Sequence, residues 1–148
     1  MIMSTARKEV PIPEEVRKEA KNGLKLINIG FQGGTETGWN RAKQLSGKTI
    51  DPESLSVMRA WFARHGPDAA NGGTSYRGYL NWHKQGRPTL NVPKGSLRGA
   101  VAWLIWGGDP AYLWLKSPQI RKVLKAAYPE KKEASFSINL GGGRCPPP

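Results

Sequence analysis

The chain has 148 residues, 38% of them hydrophobic, and its 23 Lys and Arg outnumber its 11 Asp and Glu to give a formal net charge of +12. The single cysteine, Cys145, excludes an internal disulfide and a Cys-rich metal site. No apolar stretch approaches the roughly 20 residues that cross a bilayer, and the N-terminus lacks a signal-peptide core, so we expect neither membrane insertion nor secretion. So basic a chain predicts a polyanionic partner: nucleic acid, an anionic membrane surface or an acidic protein face.

The first half of the chain predicts an arm followed by three helices. Residues 1–11 are expected to form an extended N-terminal arm. Pro13 begins a helical pattern with two acids in its first turn, and Gly23 inside it indicates that another backbone approaches closely there. Thr35 is the predicted cap of a second helix. Asp51-Pro52 predicts the start of a third, with Asp as the cap and Pro at the first helical position.

The second half is predicted to pack around one apolar helix. A short helix is expected near Tyr76–His83, followed by a turn-rich segment or one extended piece at Thr89–Val92. The segment Leu97–Trp106 is apolar nearly all round, which is typical of a central helix, and Ser96 is its predicted cap. Asp109-Pro110 predicts the start of the helix that follows, again with Asp as the cap.

These patterns together predict a mainly α fold in a single compact domain. Ser117-Pro118 begins the last helix, and the segment after it is charged, then Gly-rich, and ends in three prolines, a composition that builds no core. We therefore expect a helical domain of about six helices over residues 12–128, with an N-terminal arm at 1–11 and a Gly/Pro-rich C-terminal tail at 129–148.

The most informative stretch runs from Ala69 to Gly108 and contains no acidic residue. Its cations alternate with aromatic residues, and cations bind phosphate while exposed aromatic rings stack on bases. The alternative is that the aromatic residues belong to the core and the cations form an ordinary solvated face. The predicted partner- or nucleic-acid-binding residues are Arg77, Tyr79, Trp82, Lys84, Arg87, Lys94, Arg98, Arg121 and Lys122.

No constellation of residues predicts catalysis. The two histidines, His65 and His83, have no metal-ligand spacing with any acid, so no metal is expected. The Gly-rich segments at 30–35 and 106–109 lack the Lys-Ser/Thr pair of a phosphate loop. Cys145 stands among glycines and prolines, where nothing rigid holds a base beside it. We therefore expect a protein that is not an enzyme and binds no cofactor.

Four segments together resemble a small helical domain of uncharacterised proteins from tailed phages and large double-stranded DNA viruses. They are Gly33–Leu45, Met58–His65 with Asp68, Gly78–Trp82, and Ala102–Asp109 with Ala111 and Trp114. The resemblance covers roughly residues 11–115. It implies a structural role for a set of motif residues, which are Thr35, Arg41, Phe62, Arg64, His65, Trp103, Trp106, Gly107, Gly108 and Asp109.

The resemblance implies a viral setting and a helical fold without an assigned activity. We expect a viral structural protein, a minor capsid or cement component that stabilises a double-stranded DNA virus particle through a basic surface and extended arms. The alternative is a non-enzymatic DNA- or RNA-binding protein that acts in the infected cell. The expected partners are acidic capsid-protein surfaces, nucleic acid or both, within a larger assembly. The expected location is the virion, with the host cytoplasm or nucleus during assembly.

Overall fold

The computed structural model describes residues 9–70 and 72–128, which form a mainly helical domain, as predicted. Residues 1–8 and 129–148, which hold most of both predicted arms, lie outside the described residues. In chain order the elements are β1 (Val10–Pro11), α1 (Glu14–Asn28), α2 (Glu36–Leu45), β2 (Thr49–Ile50), α3 (Pro52–His65), α4 (Thr74–Lys84), α5 (Arg98–Ile105), α6 (Gly108–Leu115) and α7 (Pro118–Ala127). The described part thus has seven helices where the sequence predicts about six.

Three helices begin where a capping side chain predicts. The Asp51 carboxylate accepts the backbone N–H of Ser54 at 3.1 Å at the start of α3. Ser117 caps α7 through a longer bond of 3.4 Å, and Thr35 caps α2 at 3.5 Å. Each cap satisfies a backbone N–H that has no partner within its helix, so local chemistry alone sets these three starts.

A short antiparallel pair ties the N-terminal residues to the middle of the chain. Val10 pairs with Ile50, and Pro11 pairs with Thr49. Val10 and Ile12 are both buried. Val10, near the end of the predicted arm, thus contributes to the core together with Ile12, whereas Pro11 between them is exposed.

Helix α5 lies at the centre of the fold, where α1, α2, α4 and α6 all contact it. Its buried residues are Ala100, Val101, Trp103, Leu104 and Ile105. The helix is shorter than predicted, and Ser96 does not cap it. The Ser96 hydroxyl donates instead to the carbonyl oxygen of Pro93 at 2.8 Å, and Leu97 occupies the cap position.

Glycines let neighbouring helices approach α5 closely. A Cβ built on Gly23 of α1 would lie 2.9 Å from the backbone nitrogen of Ile105, which confirms the predicted close approach. A Cβ on Gly99 would lie 3.2 Å from the carbonyl oxygen of Thr74, and one on Gly78 would lie 3.4 Å from the Cα of Gly99. Helices α4 and α5 therefore cross almost backbone to backbone.

A two-glycine corner joins α5 to α6. Gly107 and Gly108 have φ angles of +105° and +66°, and a Cβ on Gly107 would clash with Ala111. These positions favour glycine because L side chains rarely adopt such angles. Helix α6 begins at Gly108, so Asp109 lies inside its first turn and not at the predicted cap position. Its carboxylate accepts instead the indole N–H of Trp103 at 2.9 Å.

Candidate polyanion-binding surface

Arg87 fastens the segment after α4 to α1. Its Nη1 and Nη2 donate to the two carboxylate oxygens of Glu19 at 3.1 and 2.8 Å. Nη2 also donates to the hydroxyl of Tyr79 at 3.0 Å, and Nε donates to Nδ1 of His83 at 3.0 Å. The guanidinium carbon lies 5.4 Å from the ring centre of Tyr79 and 5.6 Å from that of Trp82. Arg87 is therefore occupied within the fold and is not a free phosphate ligand.

The pKa values of the pair reflect this contact. Burial raises the pKa of Glu19, but hydrogen bonds from Arg87 and Asn22 outweigh burial and hold it below its usual range. The hydrogen bond to Glu19 raises the pKa of Arg87, although burial opposes that shift. Both groups are thus charged at neutral pH, and Glu19 offers no free negative charge on this side of the molecule.

Tyr79 and Trp82 are buried, with 2% and 5% of their surfaces exposed. The Trp82 indole N–H donates to the carbonyl oxygen of Pro88 at 2.8 Å, and the Tyr79 ring lies 6.1 Å from that of Trp103. Neither ring presents a face to a base, because base stacking needs an accessible ring. For these two residues the alternative interpretation, in which the aromatic residues belong to the core, is the one that the structure supports.

We call residues 85–97 the basic loop. Its two ends, which we call its feet, are held by hydrogen bonds to the rest of the fold, and its middle, the tip, is exposed. One foot is held by Arg87 and by the bond from Trp82 to Pro88. At the other foot the Gln32 N–H donates to the carbonyl oxygen of Lys94 at 2.9 Å. At the tip Leu90 is 84% exposed, and Asn91 next to it has a φ of +62°. Of the two predicted alternatives for this segment, the turn-rich one holds, since Leu90 and Asn91 form a turn and no strand is present at Thr89–Val92.

Two exposed cations, Lys94 and Arg98, lie at the second foot. The Lys94 ammonium lies 4.4 Å from the ring centre of Phe31, and Arg98 donates to the side-chain oxygen of Gln32. Both cations are exposed. Lys25 is also exposed and lies in the last turn of α1, shortly before Phe31 and Gln32, which contact Lys94 and Arg98. We call Lys25, Leu90, Lys94 and Arg98 the basic face.

The other predicted cations lie elsewhere. Arg77 and Lys84 are exposed on α4. Arg121 and Lys122 are exposed on α7, which packs against α3 and α6, whereas the basic loop packs against α1 and α4. The structure therefore distributes the nine predicted residues over a buried pair, one internally paired arginine and more than one exposed cationic surface.

Three motif residues of the resemblance, Phe62, Trp103 and Asp109, meet in an aromatic cluster around Trp103, which is fully buried. The rings of Phe62 and Tyr76 lie edge-on to it, with centroids 5.1 and 5.0 Å away. Tyr112 lies 6.1 Å from it on the α6 side. Since Asp109 accepts its only N–H, the indole is buried without an unmet hydrogen bond.

A second group of motif residues forms a column beside that cluster. The ring of Trp106 stacks on that of Trp61 at 4.9 Å with an angle of 9° between the planes, and His65 lies 4.8 Å from Trp61 on another side. The Arg41 guanidinium lies 5.6 Å from the centre of Trp106. Burial, followed by the charge of Arg64, lowers the pKa of His65, so this histidine is neutral at pH 7. Arg64 itself is exposed.

Sequence reasoning missed three important residues. Glu19 was unremarkable because its partner Arg87 lies far along the chain. Leu90 carries only a weak signal in the sequence, because it is one apolar residue within the acid-free segment. Lys25 carries an equally weak one, because it is one cation in the last turn of a helix. Among residues 9–70 and 72–128 no group of His, Cys, Asp and Glu could hold a metal ion.

In that same part of the chain, no helix combines the length and the apolarity needed to cross a membrane. Comparisons of the chain with protein-family models, with curated proteins and with solved structures found no match.

Proposed function

We propose that this protein is a non-enzymatic structural component of a double-stranded DNA virus particle, a minor capsid or cement protein that lies against an acidic surface. The basic face is the observation that supports the proposal. Lys94 and Arg98 are exposed at one foot of the basic loop, and the segment from Ala69 to Gly108 that holds them contains no acid; Lys25 is exposed in the last turn of α1. A cationic surface held in a fixed shape attracts a polyanion and orients the bound molecule.

The distribution of acids supports an oriented contact. Five acids of the described residues lie near the β1–β2 pair and the helix starts that follow its two strands: Glu9, Glu14, Glu15, Asp51 and Glu53. We call this the mixed-charge end, since Lys43 and Lys48 are exposed there too. The mixed-charge end and the basic face are at different places on the fold, so a polyanion attracts one more strongly than the other.

The viral setting is supported by the resemblance of four sequence segments. The motif residues that carry it, among them Phe62, Trp103 and Trp106, pack together in the core. They therefore belong to the core of this chain, while the basic face supplies the surface on which the proposed contact rests. The extended arms of the expectation fall largely outside the described residues.

The test is incorporation into purified particles. We expect the protein at a fixed copy number per particle, and we expect Lys94→Glu with Arg98→Glu to reduce that number severely. The matched control is Lys43→Glu with Lys48→Glu, which changes the net charge equally at the mixed-charge end and should leave incorporation nearly intact. Absence of the wild-type protein from particles, or equal losses for both variants, contradicts the proposal.

A DNA- or RNA-binding role in the infected cell is the second candidate, favoured by the same exposed cations. It predicts affinity that falls steeply with salt, because binding releases counterions from the phosphates. Since Tyr79 and Trp82 are buried, the phosphate backbone and not base stacking would supply the affinity. The protein would then be found bound to nucleic acid in infected cells and would be missing from particles.

A further inference from the structure

The tip of the basic loop exposes a large apolar side chain to solvent. Leu90 is 84% exposed, more than any other large hydrophobic residue among those that the structure describes. Arg87, three residues before it, has a φ of +58° and is held in that conformation by its bonds to Glu19, Tyr79 and His83. Asn91, which follows Leu90, has a φ of +62°, a conformation that Asn adopts readily in turns.

Both feet of the loop are held by hydrogen bonds to the rest of the fold. The Arg87–Glu19 bridge and the bond from Trp82 to Pro88 hold the first foot on α1 and α4. The bond from Gln32 to the Lys94 carbonyl holds the second. Pro88 and Pro93 restrict the backbone of the intervening residues further. Leu90 therefore projects as a knob from a loop whose two ends are already held, which lowers the backbone ordering entropy that binding costs.

We propose that the basic face binds duplex DNA and that Leu90 enters the minor groove as a wedge at a base step. The inference rests on the proposed function and names duplex DNA, such as a packaged genome, as the acidic surface. Proteins that bind the minor groove insert a Leu, Ile, Phe, Met or Pro between base pairs and bend the duplex, while flanking cations hold the phosphates. Lys94 and Arg98, four and eight residues after Leu90, are exposed cations that contact Phe31 and Gln32, and Lys25 is exposed in the last turn of α1.

The polar neighbours of the knob fit this ligand. Asn91 is exposed directly beside Leu90, and Thr89 precedes it with partial exposure. Amide and hydroxyl groups match the hydrogen-bond acceptors that line the minor groove, whose width of about 6 Å admits a leucine side chain but not a helix. Glu19 lies near the first foot, but its charge is neutralised by Arg87, so it does not repel phosphates.

Two other occupants fit the loop less well. An anionic membrane favours several apolar or aromatic residues at the inserting tip, whereas Leu90 stands between two polar residues. An acidic protein face would need an apolar pocket that receives the knob, and nothing in this chain indicates one. Duplex DNA supplies both the charge and the groove in every turn, so it requires no special partner.

The test uses the full chain and a duplex of about 20 base pairs with a central TA step, labelled at both ends, because such steps kink easily. We expect binding at about 50 mM salt and a shorter end-to-end distance by fluorescence transfer, with log affinity falling against log salt at a slope of about −3 for three phosphate contacts. Leu90→Ala should abolish the shortening and weaken binding about tenfold while leaving the slope unchanged.

Matched variants separate the wedge from the charge. Leu113 is also an exposed leucine, at 64% on α6, so Leu113→Ala should change neither bending nor affinity. Lys94→Glu with Arg98→Glu should reduce the salt slope to about −1. Circular dichroism checks that each variant is folded, which we expect since Leu90 and Leu113 make few internal contacts.

Three outcomes overturn the wedge, and a fourth overturns only the proposed structural role. Equal bending by the Leu90→Ala and Leu113→Ala variants shows that Leu90 is not inserted. Binding of vesicles of phosphatidylserine and phosphatidylcholine that needs Leu90, without any bending of DNA, assigns the loop to a membrane. If wild type does not bind the duplex but is still incorporated into particles, the wedge is wrong and the proposed structural role stands. If it bends DNA but is absent from particles, the structural role fails alone.

Discussion

Arg87 and Arg41 are both half-buried arginines that lie over aromatic rings, yet their surroundings differ. Arg87 has a bidentate carboxylate partner, a tyrosine hydroxyl and a histidine nitrogen. Arg41 donates to the side-chain oxygen of Gln44, and its Nε is a buried donor without a hydrogen-bond partner. Burial lowers the pKa of Arg41, while the hydrogen bond to Glu19 raises that of Arg87. One arginine thus stabilises the fold through its charge, and the other carries its charge at a cost.

The largest effect is expected from Arg87→Ala. The change leaves Glu19, only 12% exposed, without its cation and releases the first foot of the basic loop. We expect the free energy of unfolding to fall by about 3 kcal/mol, toward the lower limit for a broken buried pair because Arg87 is 28% exposed. Urea denaturation measures it. Arg77→Ala, which removes an exposed arginine on α4, is the control, and we expect it to lower the free energy of unfolding by less than about 0.5 kcal/mol.

Acid should weaken the Arg87 site selectively. The pKa of Glu19 is below its unfolded value near 4.5, so its contribution to stability is complete above that pH and is lost as the pH falls through the folded pKa. We expect the difference in unfolding free energy between wild type and Glu19→Gln to be largest near neutral pH and to shrink steadily below about pH 4.5. A difference that is independent of pH would show that the charge of Glu19 does not matter.

Arg41→Met should change stability little, in either direction. Methionine keeps the apolar contact with Trp106 and removes the unpartnered buried Nε, whose cost is about 1–3 kcal/mol. The lost bond to Gln44 and the lost cation–π contact offset that gain. We therefore expect a net change within about 1 kcal/mol by urea denaturation. A loss as large as that of Arg87→Ala would mean that the two arginines are equivalent after all.

The smallest effect is expected at the ion pair of Lys116 and Asp68, which extends the comparison of charged groups to the exposed surface. Lys116 donates to the Asp68 carboxylate at 2.7 Å, as does the Tyr112 hydroxyl, and both charged residues are more than half exposed. The hydrogen bonds from Lys116 and Tyr112 lower the pKa of Asp68. Solvent screens such pairs, so Lys116→Gln should leave the melting temperature unchanged within error. A clear drop at low salt would show that the pair is better shielded than its exposure suggests.

Local signals were predictable from the sequence, and distant ones were not. Asp51, Ser117 and Thr35 cap the helices expected of them, because a cap depends on residues three positions away. The β1–β2 pair joins residues about 40 positions apart through two-residue strands, which carry no periodicity to detect. The residue types of Ser96 and Asp109 predict helix caps. In the structure the Ser96 hydroxyl donates instead to the carbonyl oxygen of Pro93, and the Asp109 carboxylate accepts the indole N–H of Trp103.

The candidate surface was predictable in part for the same reason. The acid-free segment pointed to the region, and Lys94 and Arg98 are exposed there. Composition did not reveal that Tyr79 and Trp82 face inward, because alternating cations and aromatic residues fit a stacking surface and a buried helix face equally well. Nor did it reveal the partner of Arg87, since Glu19 lies 68 positions away. Only tertiary packing separates a free cation from a structural one.

The hydrogen bond from Trp82 to Pro88 connects the core directly with the foot of the basic loop, two residues before Leu90. An indole held in this way is a built-in spectroscopic reporter. In protein labelled with fluorotryptophan, the six tryptophans should give six fluorine resonances, and Trp82→Phe identifies the one at the loop. Binding of a ligand at Leu90 should shift the Trp82 resonance and leave that of Trp103 unchanged, so binding can be followed without an attached dye.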